Sequence, residues 1–158
     1  MPSDADILLQ IQQAFAGCNR PAHFTNFTHC EECAEQDALL LSRDAATLRI
    51  EDVSNPGCNP IGFASPEGFA YFLPALARFV LSEPDQVNGW YGGQLLFHLC
   101  YDGRQNARLL ACTRNQRLAV VKLLRHIVET RSALVDAEGA SHELFQALEI
   151  WSEETPAA

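Results

Sequence analysis

No run in this sequence is long and apolar enough to cross a bilayer. The longest apolar stretch, Phe69 to Leu81, falls short of the ~20 residues a spanning helix needs, and Arg78 interrupts it. Positive charge is scarce: 11 Lys and Arg stand against 20 Asp and Glu, for a net charge of −9. A general nucleic-acid binder needs excess cation to displace phosphate counterions, so that class is excluded. Two-residue alternation is nowhere sustained, which excludes a large sheet. The start, Met1 to Asp6, lacks the basic region and apolar core of a secretory leader. The expectation is a cytosolic protein whose six cysteines stay reduced. Catalytic signatures are missing too. There is no phosphate loop, nucleophile elbow or dinucleotide glycine pattern, and Ser141-His142-Glu143 lacks the second histidine of a zinc protease motif. With no convergent catalytic set, the reading leans away from an enzyme.

What the sequence does contain is helix. Apolar residues make up 47% of the 158, enough to build a core without staples. Ser3 is a plausible N-cap for a first helix over Asp4 to Ala16, with Ile7, Leu8, Ile11 and Phe15 on one face. Thr28 and Glu31 have the spacing of a capping box for a second helix ending near Ser42. Ser65-Pro66-Glu67 is the clearest helix start: a capping hydroxyl, a proline whose missing amide costs nothing at the first position, and an acid at the positive end of the dipole. Phe69, Phe72, Leu73, Leu76, Phe79 and Val80 then share a face, and Pro74 should kink or divide the helix. Gly89 to Gly93 reads as a loop, Gln94 to Tyr101 as a short helix. Thr113 and Gln116 open a long helix to about Val135, and Ser141 caps a last one carrying Leu144, Phe145, Leu148 and Trp151. The fold expected is all-α: a single compact domain of about six helices with irregular loops over residues 1–153, and a flexible tail over 154–158.

The segment richest in chemistry is His29-Cys30-Glu31-Glu32-Cys33. Paired cysteines at this spacing commonly supply two zinc ligands, and His29 or Asp37 lies on the right side of the helix to add a third. No second ligand pair follows at matching spacing; His98, Cys100 and Cys112 keep no such pattern. A thiol at a helix N-terminus is also a redox candidate, although no strand precedes it and Glu31, Glu32 and Glu35 oppose a thiolate. The third reading is packing: Cys30 and Cys33 share a helical side with Ala34, Leu40 and Leu41, and free cysteine behaves as a small hydrophobe. Packing leads, then zinc, then redox. Elsewhere His98 and His126 read as packed histidines, and Trp90 and Tyr91 as a lid on the core. Seven bases between Gly103 and Arg131 read as a solvated helix face.

Three segments together, Thr28-His29-Cys30-Glu31-Glu32-Cys33-Ala34-Glu35, Ser65 to Pro74 and Gly89-Trp90-Tyr91-Gly92, resemble an uncharacterised bacterial family, a domain of unknown function. The resemblance implies a bacterial, cytosolic, single-domain protein and no activity. It also implies a histidine where this chain has Gln36 and a tryptophan where it has Cys58.

The function expected is a non-catalytic binding or interaction protein of the immunity type. It would meet a basic protein partner through Glu31, Glu32 and Glu35, without nucleic acid or membrane. No cofactor belongs to that reading, and the oligomeric state stays open. The alternative is a zinc-binding or thiol-redox protein built on Cys30, Cys33 and His29.

Overall fold

Three of the expected helix starts are built as the sequence specifies. Ser3 and Asp6 exchange hydrogen bonds at the first helix, Ser65 accepts from the Gly68 amide, and Thr113 and Gln116 close a reciprocal box. The chain, seen in a computed structural model that describes residues 1–153, folds as α1 (Asp4–Phe15), α2 (Glu31–Leu41), α3 (Ile50–Val53), α4 (Pro60–Phe63), α5 (Pro66–Leu81), α6 (Gly92–Cys100), α7 (Ala107–Leu110), α8 (Arg114–Thr130), α9 (Ser132–Ala137) and α10 (Ser141–Ser152). The tail expected over 154–158 lies outside the described residues. Among the described residues there is no strand, only isolated bridges at Thr25 with Ala64 and Asp85 with Gly89. No helix among them is long and apolar enough to cross a membrane.

The all-α, single-domain expectation holds, but about six helices is an undercount: among the described residues there are ten α-helices. The additions are α3, where the sequence offered a short turn of helix over Leu48 to Val53, and α4, α7 and α9, none longer than six residues. Elements of one or two turns carry too few residues to show a hydrophobic period, and tertiary packing holds them. α9 was expected as the end of α8. The two separate at Arg131, where φ is −130°, and its guanidinium bonds both Asp4 carboxylate oxygens and the Leu81 carbonyl. Two further expectations fail near the C-terminus. Ser141 does not cap α10; it is the first helical residue and its hydroxyl donates to Asp136. Phe145, expected inside, is exposed.

α5 lies at the centre. It runs unbroken through Pro74 and buries ten of its sixteen residues, including all six of the expected face. α1 packs on one side, α6 and α7 on others. α8 closes over α1, and α10 lies on α6 and α8. Trp90 and Tyr91 are buried, so they seal the core as expected; the Trp90 indole donates to the Val80 carbonyl at the end of α5. Gly92 is required there, because a Cβ would stand 2.0 Å from the Trp90 ring. A polar latch joins the chain ends: Asp4 lies 2.6 Å from His126 Nε2 and accepts from Arg131, which holds its carboxyl at about 2. His126 is thus a packed histidine, as the sequence indicated.

Two consequences follow for stability. Phe72 is fully buried among Phe24 and Tyr71. Phe72→Ala should cost roughly 3–5 kcal/mol in urea denaturation, and a loss below about 1 kcal/mol would contradict its central place. His98 is also buried, and burial, helped by the charge of Arg108, lowers its pKa from 6.5 to about 4. The unfolded chain therefore takes up this proton first as pH falls. The stability His98 allows is complete above pH 6.5 and declines toward pH 4. Relative to His98→Phe, the wild-type protein should lose roughly 2–3 kcal/mol between pH 7 and 4.5 in urea melts. A parallel response in both proteins would show that the ring is protonated in the fold.

Candidate functional site

The segment that carries the cysteines is tied down before it reaches them. Asp37, buried on α2, accepts from the amides of Phe24 and Thr25 at 2.6 and 3.1 Å and lies 2.7 Å from His23 Nδ1. Burial pushes its carboxyl up, but the His23 ring and the two amides outweigh that and hold it below the usual range. The Thr25 hydroxyl donates to the Cys33 carbonyl, and the Phe24 carbonyl accepts from the Ser65 amide at the start of α5. The loop before α2 is therefore pinned to both α2 and α5. Asp37, considered as a metal ligand, is committed to this structural work instead.

The start of α2 differs from expectation. Thr28 does not cap the helix; its hydroxyl turns to Asn26. The N-cap is Cys30, in extended backbone, and its Sγ accepts from the Cys33 amide at 3.4 Å. A thiolate can fill the role usually taken by a serine or aspartate oxygen, since it too satisfies a free first-turn amide. The preference for packing is also overturned. Cys30 is exposed and Cys33 half-buried, while Ala34 and Leu41 face solvent. What α2 buries is Gln36, Asp37 and Leu40. The Gln36 amide donates to Cys58 Sγ at 3.2 Å. Helical periodicity alone favoured the cysteine side because it reads apolarity, and here hydrogen-bonding partners from the loop turn the polar side inward.

Three donor atoms converge at this helix start. Cys30 Sγ and Cys33 Sγ are 3.3 Å apart, Cys33 Sγ and His29 Nδ1 are 3.7 Å apart, and all three lie within 4.8 Å of one another. A tetrahedral zinc ion with Zn–S near 2.3 Å and Zn–N near 2.0 Å spaces its ligand atoms by roughly 3.5–3.8 Å. The trio needs only small side-chain rotations to reach that spacing. The Cys33 amide, the His29 ring and the Cys33 thiol together lower the Cys30 pKa. The hydrogen bond with Cys30 raises that of Cys33. Cys30 is therefore the thiol of the pair that gives up its proton more readily, and a cation bound there would favour that loss.

Glu31, Glu32 and Glu35 are all exposed beside this trio. Their carboxylates add negative potential around it. Among the described residues no other group of three His, Cys, Asp or Glu side chains gathers donor atoms in this way. His98 and Cys100 lie on α6, and Cys112 is buried next to Cys18, so none joins the trio. No family model, curated protein or solved structure matches this chain.

If the third donor is His29, Asp37 must be dispensable for metal. Asp37→Asn keeps an oxygen for the two amides but loses the charge. It should cost about 1–2 kcal/mol in urea denaturation and leave zinc stoichiometry unchanged. Loss of metal in this variant would place the carboxylate among the ligands.

Proposed function

We propose that this chain is a small metal-binding protein that takes zinc at the start of α2 through Cys30, Cys33 and His29. The single observation that carries the reading is the convergence of their three donor atoms within 4.8 Å. Thiolate and imidazole donors suit zinc, and an exposed site with three protein ligands leaves a fourth position to water or to a group from outside. The role proposed is binding, and no catalytic step is assigned. In the thiol-redox reading of the same cysteines His29 serves only to lower the Cys30 pKa, whereas in the zinc reading all three side chains act as ligands. The interaction reading, in which Glu31, Glu32 and Glu35 meet a basic protein, rests on exposure and net charge. Those features serve solubility as well, and the same carboxylates also favour a cation.

Under reducing conditions the purified protein should bind about one equivalent of zinc per chain, measured by elemental analysis and competition with a chromophoric chelator. Cobalt in its place should give the ligand-to-metal absorption of a tetrahedral thiolate site. Replacing both cysteines with Ser should abolish binding. His29→Ala should weaken it by at least about tenfold, since one of three ligands is gone. Because Cys30 and Cys33 lie at the surface, the double variant should stay folded. Cobalt spectra without a thiolate band, or a zinc affinity indifferent to the cysteines, would reject the site.

A further inference from the structure

A cleft of about 760 Å³ lies between the Ser54–Phe63 segment, the Asn88–Trp90 turn and one side of α6. It is remote in function from the cysteine trio and none of its lining residues is a cysteine. Trp90, Phe63 and Phe97 supply its aromatic lining, and Asn59, Gln94 and His98 are among its polar residues. Asn59 Nδ2 donates to Gln94 Oε1 at 2.5 Å and lies 3.3 Å from His98 Nε2, Asn59 Oδ1 accepts from the Ile61 amide, and Gln94 Nε2 donates to the Ser54 carbonyl. Both amides are spent on the protein.

That network also decides the state of the ring. A donor facing Nε2 makes Nε2 the acceptor, so the hydrogen sits on Nδ1. His98 is only 3% exposed, and Nδ1 has no hydrogen-bond partner among the described residues. An N–H with no protein acceptor on a ring that lines a cleft is free to donate to a molecule bound there. Close by, Arg108 Nε is buried without a partner. The lining carries a single charge, Glu138, and no Lys or Arg. A cleft of this size, with aromatic walls and few fixed polar groups, has the composition of a small-molecule site.

We propose that this cleft binds an uncharged planar aromatic or heteroaromatic molecule, stacked between Trp90, Phe63 and Phe97 and accepting a hydrogen bond from His98 Nδ1. Neither sign of charge is favoured: Glu138 in the lining and the Arg108 charge that reaches His98 offset one another. An amino or amide group on the ligand would instead point toward Glu138.

Nicotinamide and nicotinate make a suitable pair of probes, equal in shape and different in charge. Binding is followed by NMR shifts of the Trp90 indole N–H and the Gly89 amide in the full chain. Nicotinamide should bind saturably, and nicotinate at least about tenfold more weakly. Gly93 lines the cleft, and a Cβ there meets nothing within 4 Å, so Gly93→Leu fills the space without disturbing the core. It should abolish nicotinamide binding with an unchanged circular dichroism spectrum. His98→Phe keeps the shape and removes the donor, and should weaken binding by about tenfold. Absence of saturable nicotinamide binding, or equal affinity in the wild-type protein and Gly93→Leu, would overturn the site. Nicotinate binding as tightly as nicotinamide would overturn the uncharged ligand class.

Discussion

α5 carries more apolar surface than one neighbour can cover, and the rest of the structure follows from covering it. Its buried residues are distributed well around the helix, from Phe69 and Phe72 through Ala75, Leu76 and Ala77 to Val80 and Leu81. An all-round apolar helix must become the axis of its domain. α1, α6 and α7 take its sides, and Phe24 from the loop before α2 fills the remaining gap against Phe72. Both ends of α5 are also committed. At its start the Phe24 carbonyl accepts from the Ser65 amide, and at its end Arg131 and Trp90 donate to the Leu81 and Val80 carbonyls. Each partner belongs to a different part of the chain, so the helix fixes the positions of segments that have little intrinsic structure of their own.

The same dependence reaches the cysteine trio. The Phe24–Thr25 backbone is held by α5 on one side and by Asp37 on the other. This arrangement forces the Asp37 side of α2 inward, and the side bearing Cys30 is left in solvent. A carboxylate with three partners can be buried, because the partners replace the water it gives up. The exposure of the thiols is thus a consequence of where Asp37 is satisfied. His29 then lies beside them simply because it immediately precedes the N-cap, and the extended backbone of Cys30 keeps its ring near Cys33.

Polar groups inside this domain divide into two kinds. Those joining the chain ends are satisfied: the Asp4 carboxylate has the opposite charge of Arg131 and the His126 ring nitrogen beside it, and the contact closes the bundle. Those at the cleft are short of partners: one nitrogen of the His98 ring has no protein acceptor among the described residues, and Arg108 Nε is buried without one. The first kind is explained by stability. The second costs stability, which is the reason to look there for a ligand.

Much of this architecture was legible in the sequence, and the parts that were not share a cause. Ser3, Ser65 and Thr113 started their helices because a cap is a contact between residues three apart, and the face of α5 was readable because a long helix repeats its pattern many times. The trio His29, Cys30 and Cys33 was visible for the same reason: its members are neighbours in the chain. Tertiary structure alone decided what happens when two local preferences compete. It turned the Gln36–Asp37 side of α2 inward against a helical pattern that favoured the cysteines, broke the helix at Arg131 to reach Asp4, and left Phe145 outside. The cleft could not be read from sequence at all. Asn59, Gln94 and His98 come from separate segments with no common spacing, and only the packing of α4 and α6 around α5 brings their side chains within hydrogen-bonding distance, the range over which such contacts act.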